Sequence, residues 1–381
     1  MRLLISIAAA LFSKIRPLTD IEKTAALWPP MGGQLWLQRF FLAPWLRWDA
    51  HWYVQILTTG YKAGDGTTSF HPLYLLLSAI PYNLGLSPLL SLLITSSLAG
   101  LLFFWALYKL ARLDAGHKES FLAVALFASF PAAFILFAPY TESLFLLFST
   151  LALYFMRQRK WMLVAMMTFL ASLTRQQGVF LFIPIIWYIW EDAKHSLKKM
   201  FTSWRGWLAA FTAPAGLFTW TLYRVLYLKE GAIETTSLQS FFYSALLSPY
   251  AKKVVPDQRL MFPWKSLAES LQQFSNHPQV GDLMTLALGG WFLILLLLSW
   301  KYLRPANRLY SIVITLVSFS MSTGESGVFI SLPRHLFIAV PVFIGLSFAL
   351  KKRWQQILVI GSQFLVQFFM LLLYVLKAWI P

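Results

Sequence analysis

The chain contains no cysteine, and only 15 of its 381 residues are acidic. Without thiols it has neither a disulfide framework nor a thiolate metal site. No Asp-x-Asp pair occurs; Asp20-Ile21-Glu22 is the nearest approach and is too common a pattern to define a metal site. A His-Glu-x-x-His helix, a P-loop and a glycine-rich dinucleotide turn are also missing, as is a local Ser-His-Asp signature. No cofactor is therefore expected, and a divalent cation would have no dedicated motif to hold it. Charged residues make up 12% of the chain, against about 25% in soluble domains. There is no long polar linker, low-complexity tract or visible internal repeat. The absence of a repeat argues against a transporter built from duplicated halves.

What is present is apolar sequence. Hydrophobic residues reach 58%, aromatics 17%, and the mean hydropathy is +0.61. The composition predicts an all-α polytopic membrane protein forming one domain over residues 1–381. Residues 3–12 are an apolar run between Arg2 and Lys14, short of the roughly 20 residues a span needs. They read as an uncleaved anchor rather than a signal peptide. Spans are expected near 86–108, 119–137, 143–156, 161–173, 178–190, 207–228, 283–300, 309–323, 334–350 and 356–378, giving a bundle of about 10–11 transmembrane helices. Prolines 131, 139, 184, 214 and 341 predict broken helices among them.

The net charge of +17 is distributed as topology signals, not as a nucleic-acid surface. Lys109/Arg112/Lys118, Arg157/Arg159/Lys160, Lys194/Lys198/Lys199/Arg205, Lys301/Arg304/Arg308 and Lys351/Lys352/Arg353 occupy alternate loops, which the positive-inside rule assigns to the cytoplasm. Asp114, Glu119, Glu191 and Asp192 are the acids on that side. The remaining acids face outwards, with two long loops, 14–85 and 229–282, and short ones near 138–142, 174–177 and 324–333.

The outer segments carry the chemistry. Asp49 lies in Arg47-Trp48-Asp49-Ala50-His51-Trp52-Tyr53, and a charged group at membrane level is a functional-site hypothesis by default. A carboxylate there can accept a proton from an attacking hydroxyl. Trp48, Trp52, Tyr53, Tyr61 and Tyr74 offer flat, half-polar surfaces suited to a sugar, with an interfacial aromatic belt as the plain alternative. Gln34–Leu42 has the pattern of an interfacial amphipathic helix. In Tyr140-Thr141-Glu142-Ser143, Glu142 either meets a substrate hydroxyl or caps the following helix. Arg175-Gln176-Gln177 sets a planar, permanently charged fork between apolar runs; it needs Glu142, Asp49 or a phosphate as partner. Pro333-Arg334-His335 adds a second cation, and His335 either bonds the same anion or orients Asp49. Loop 229–282 reads as a plain surface loop, with a lid over part of the acceptor cleft as the alternative.

Together, Arg47-Trp48-Asp49, Tyr53, Gly60-Tyr61, Phe70 with Pro72-Leu73-Tyr74, Tyr140 with Glu142-Ser143-Leu144-Phe145, Arg175 with Gly178, and Pro333-Arg334 resemble the PIG-V family of mannosyltransferases, in the family's order. That family is of the GT-C class, and the chain resembles a bacterial-type member. The resemblance implies an inverting transfer of a hexose, mannose first, from a polyprenyl-phosphate donor on the extracytoplasmic face. The acceptor would be a hydroxyl of a lipid-linked glycan or other glycolipid. Asp49 would be the base, and Arg175, Arg334 and His335 would hold the donor phosphate. Trp48, His51, Tyr53, His71, Tyr74, Tyr140, Glu142 and Gln176 would line the substrate. Departures at His71, Leu75, Gln176-Gln177 and His335 leave the sugar and acceptor open. A lipid or solute transporter, or a non-catalytic membrane subunit, are the competing classes.

Overall fold

The computed structural model describes residues 2–15, 41–230, 259–322, 329 and 331–376. The amphipathic segment at 34–40, Asp20-Ile21-Glu22, residues 231–258 and Glu325 lie outside the described residues. Helices run in the order α1 (Arg2–Ser13), α2 (Asp49–Thr59), α3 (Pro72–Asn83), α4 (Pro88–Ala111), α5 (His117–Ser129), α6 (Glu142–Arg157), α7 (Trp161–Thr174) and α8 (Phe182–Asp192). They continue as α9 (Trp204–Leu226), α10 (Pro263–Asn276), α11 (Val280–Ser299), α12 (Pro305–Phe319), α13 (Leu332–Leu336), α14 (Pro341–Ala349) and α15 (Arg353–Val375). The exception to helix among these residues is one antiparallel pair, β1 (Arg259–Leu260) with β2 (Met321–Ser322). The fold is that of an all-α membrane protein.

Helix starts follow local chemistry. Proline opens α3, α4, α10, α12 and α14, where its missing N–H costs nothing and its φ is already helical. Among the described residues, α4, α11 with its extension to Tyr302, and α15 are long and apolar enough to cross a membrane. Several expected spans are not single rods. Residues 119–137 divide into α5 and a tight 3-10 helix, Pro131–Phe137, bent by 86°. Residues 178–190 start as a 3-10 turn, Gln176–Leu181, and 334–350 consist of the short helices α13 and α14.

The 86° break frees backbone groups inside an apolar bundle, where an unpaired carbonyl is costly. One glutamine of α15 meets the need, and a second bonds a side chain at the break. Gln367 Nε2 donates to Ala128 O at 3.1 Å and Phe130 O at 2.9 Å. Gln363 Oε1 accepts from Ser129 Oγ at 2.8 Å. Both glutamines are 2% exposed, so they serve this break rather than solvent.

Gly216 lets α9 pack tightly against α7. A Cβ there would lie 2.5 Å from Phe169 O and 2.8 Å from Ser172 Cβ. The residues read as the loop 14–85 are not all loop either, since α2 and α3 occupy much of 49–83 and pack against α4.

Charge separates along the helices. Helix α6 has Glu142 at its start and Arg157 at its end, about 22 Å apart at 1.5 Å per residue. At the Arg157 end, Asp114 pairs with Arg157 and with Arg304 Nη2 at 2.6 Å. Arg159 pairs with Glu191 at 2.7 Å and Asp192 at 2.6 Å. Those contacts join the loops around 112–116, 157–160, 191–196 and 300–304 at one end of the bundle. Four of the loops read as one face therefore lie together.

Candidate active site

At the other end of α6, four charged side chains from four separate segments form one chain of ion pairs. Asp49 is the first residue of α2, Glu142 the first of α6, Arg175 links α7 to the following 3-10 turn, and Arg334 sits in α13. Arg334 Nη1 donates to Asp49 Oδ2 at 2.7 Å. Its Nε faces Glu142 Oε1 at 3.1 Å, outside good hydrogen-bond alignment. The same Glu142 oxygen accepts from Arg175 Nη1. Arg175 Nη1 also meets Thr141 Oγ1 at 3.0 Å, and its Nε meets Gln177 Oε1 at 3.3 Å.

The order is Asp49–Arg334–Glu142–Arg175, two carboxylates and two guanidiniums. Glu142, 1% exposed, is at its centre, whereas Asp49 is the most open member at 23%. Arg175 and Arg334 are 11% and 10% exposed. Buried charge is tolerated when it is paired and hydrogen-bonded, and removal of one partner typically costs about 3–5 kcal/mol.

Backbone geometry brings these groups together. Trp48, directly before Asp49, has φ 52° and ψ −120°, an outlier for a bulky residue. Ser331, directly before α13, is left-handed at φ 67°. Both aim a charged residue from the start of a helix into the cluster. Strained backbone of this kind persists where its surroundings over-determine it, and such residues cluster at functional sites. Gly178 closes the Arg175 turn: an added Cβ would come within 2.5 Å of Ser172 N.

The aromatic residues divide into scaffold and surface. Tyr140 is fully buried; its hydroxyl donates to Arg47 O at 3.0 Å and its ring carries the Arg334 guanidinium at 5.3 Å. Tyr74, also fully buried, donates to Leu92 O at 2.8 Å. Tyr53 packs edge-on against Phe70, Tyr74 and Tyr140. His71 Nδ1 lies 3.0 Å from Ser172 O. These four side chains are buried scaffold rather than exposed surface. Trp48, His51 and Gln176 remain half-exposed around Asp49 and Arg175. His335 lies within electrostatic reach of Arg175 and Arg334. Glu142 Oε2 and Trp48 Nε1 are buried and have no hydrogen-bond partner among the described residues.

Sequence reasoning gave no role to Arg47, Thr141, Gln177 or the pair Arg224 and Glu230. Arg47, 1% exposed, donates from Nε to Val375 O and from Nη1 to Leu46 O, both at 3.0 Å, locking the Asp49 segment to the end of α15. Its adjacency to Trp48-Asp49 was the available signal. Thr141 and Gln177 steady Arg175. A second buried pair, Arg224 Nε to Glu230 Oε2 at 2.7 Å, continues to Thr68 Oγ1 and ties the end of α9 to the segment before α3. Nothing in the spacing of those residues announced it. Among the described residues, no three His, Asp or Glu side chains gather as a metal-ligating cluster.

The model of the dolichyl-phosphate-mannose-protein mannosyltransferase family matches residues 71–220, less than half of the chain. No curated protein matches it. The matched stretch contains His71, Tyr74, Tyr140, Glu142 and Arg175, while Asp49 and Arg334 lie on either side of it. This family is of the same GT-C type as the one the motifs resemble, though it is a different family. Over residues 71–220 the chain is thus similar to membrane mannosyltransferases, and glycosyl transfer is the activity this similarity supports.

Proposed function

We propose that the protein transfers a hexose, mannose first among candidates, from a polyprenyl-phosphate donor to a hydroxyl of a lipid-linked or other extracytoplasmic acceptor, with inversion. The observation that carries this reading is the ion-pair chain Asp49–Arg334–Glu142–Arg175, which couples the most open carboxylate of the group to two arginines. Asp49 accepts the proton of the acceptor hydroxyl. The acceptor oxygen then attacks the anomeric carbon, and the bond from that carbon to the phosphate oxygen breaks. The electron pair leaves with the polyprenyl phosphate, whose growing charge the Arg175 and Arg334 guanidiniums stabilise. Trp48, His51 and Gln176 border the sugar. Glu142, Tyr140, Tyr74, Tyr53 and His71 keep these groups in place.

Nearly balanced charge within the cluster suits this chemistry. The phosphate enters between cations that already have carboxylate partners, so donor binding competes with the internal pairs. Competition of this kind would free Asp49 from Arg334 as the donor binds and present its carboxylate to the acceptor.

The test is transfer by purified protein in lipid, with radiolabelled polyprenyl-phosphate mannose and a membrane-lipid extract as acceptor pool. Wild type should move label, and Asp49→Asn should lose essentially all transfer while remaining folded. Equal transfer by both would remove Asp49 from the chemistry. Sidedness is checked separately: a tag within Arg157–Lys160 should be cytoplasmic, and accessibility from outside would invert the assignment.

A further inference from the structure

Helix α10, within the stretch read as a plain outer loop, buries the wrong residues for a helix docked on a protein core. Ser266 and Ser270, one turn apart, are 0% and 5% exposed. The apolar residues of the same segment point outwards instead. Trp264 is 65% exposed, Leu267 36% and Leu271 51%, and Phe262 just ahead of the helix is 60% exposed. Trp264, Leu267 and Leu271 follow i, i+3, i+7 spacing and share one helix face. Lys265, Glu269 and Gln272 are exposed on another. Small serines let the helix lie close against the bundle, with its apolar face directed away from it.

The tethers of α10 say what covers that face. On one side β1 pairs with β2 at the end of α12, and Met261 N donates to Ser320 O at 2.8 Å. On the other, residues 277–279 are all that separate α10 from the start of the spanning helix α11. The helix is held at the mouth of two bundle helices, where a membrane's polar boundary must lie. Its apolar face continues into α11, whose Val280 and Leu283 are 59% and 48% exposed. Phe262 and Trp264 stack at 4.8 Å with 9° between their planes, and indole rings favour the headgroup level.

We propose that α10 is an interfacial helix whose occupant is the bilayer itself: Trp264, Leu267 and Leu271 sit in the acyl boundary, and Lys265, Glu269 and Gln272 face water. A helix with one apolar and one charged face, pinned in the plane of the interface, has this as its stable arrangement. Helix α12 contacts both α10 and α13, the helix that carries Arg334.

The natural absence of cysteine makes the test direct. Single variants Leu267→Cys, Leu271→Cys, Lys265→Cys and Gln272→Cys, each carrying a nitroxide, are reconstituted in phosphatidylcholine–phosphatidylglycerol bilayers. Collision with oxygen and with a water-soluble nickel chelate is then measured. Leu365→Cys on α15, where the leucine is 75% exposed, gives the lipid reference, and exposed Lys118→Cys gives the aqueous one. The expected result is a severalfold higher oxygen-to-nickel ratio at 267 and 271 than at 265 and 272. Equal nickel access on both faces would overturn the proposal. So would low access to both reagents at 267 and 271, which means a protein cover, or dipolar broadening between labels, which means a second copy. No outcome depends on sugar transfer.

Discussion

The two ends of α6 hold charge in opposite ways. At the Arg157 end, Asp114 takes two arginines, and Arg304 remains 51% exposed. At the Glu142 end, one carboxylate that is 1% exposed stands between two arginines that are themselves nearly buried. Water at the first end reaches Arg304 and the Arg159 pairs, and exposed pairs of this kind are worth roughly 0–1 kcal/mol each. At the second end burial limits that access, and loss of a partner strands a charge in apolar surroundings. One network fastens loops. The other holds charges that its own members neutralise.

Glu142→Ala breaks this contrast most severely. Two buried guanidiniums would be left with Asp49 as their nearest carboxylate, and unfolding in detergent should show a loss of about 3–5 kcal/mol. A loss near zero would mean that water already reaches the cluster. Asp114→Asn should cost no more than about 1 kcal/mol, and 1 M salt should shrink even that difference, because exposed pairs are screened. A salt-independent loss of several kcal/mol would place Asp114 in the same class as Glu142.

Acid offers the finest separation. Partial burial raises the Asp114 carboxyl, but the hydrogen bonds and charges of Arg157 and Arg304 outweigh it and hold the group below its ordinary value. Asp192 goes the other way: burial raises it, and Arg159, shared with Glu191, does not fully offset that rise. A group with a depressed folded pKa contributes stability that is present above its unfolded pKa and lost as pH falls through the folded one. Asp114→Asn should therefore match wild type in strong acid and differ from it above the ordinary aspartate range. A constant difference across pH would show that the ion pairs contribute nothing.

Much of this arrangement was legible beforehand, for identifiable reasons. Asp49, Glu142, Arg175 and Arg334 stood out because charge beside lipid is expensive and therefore rare. The basic loops grouped correctly because lipid and loop length constrain them. Roles were harder to read. Tyr74 read as a sugar platform and Tyr140 as a substrate contact, yet both are fully buried and bonded to backbone carbonyls. Glu142, which looked like a substrate contact or a helix cap, is a shared anchor for two guanidiniums. A half-polar aromatic has the same letter whether its hydroxyl meets a sugar or a carbonyl.

Composition and charge spacing alone determined that the chain is a helical membrane protein with its unusual polar residues gathered at one end, since those properties depend on solvent and period. Tertiary structure decided which arginine meets which carboxylate, why α15 needs Gln363 and Gln367, and which way α10 turns its apolar face. Those outcomes depend on contacts between residues up to 285 positions apart, as between Arg334 and Asp49, and on backbone angles such as that of Trp48. Neither is written in a local pattern, because pairing free energy is set by burial, and burial exists only once the helices have packed.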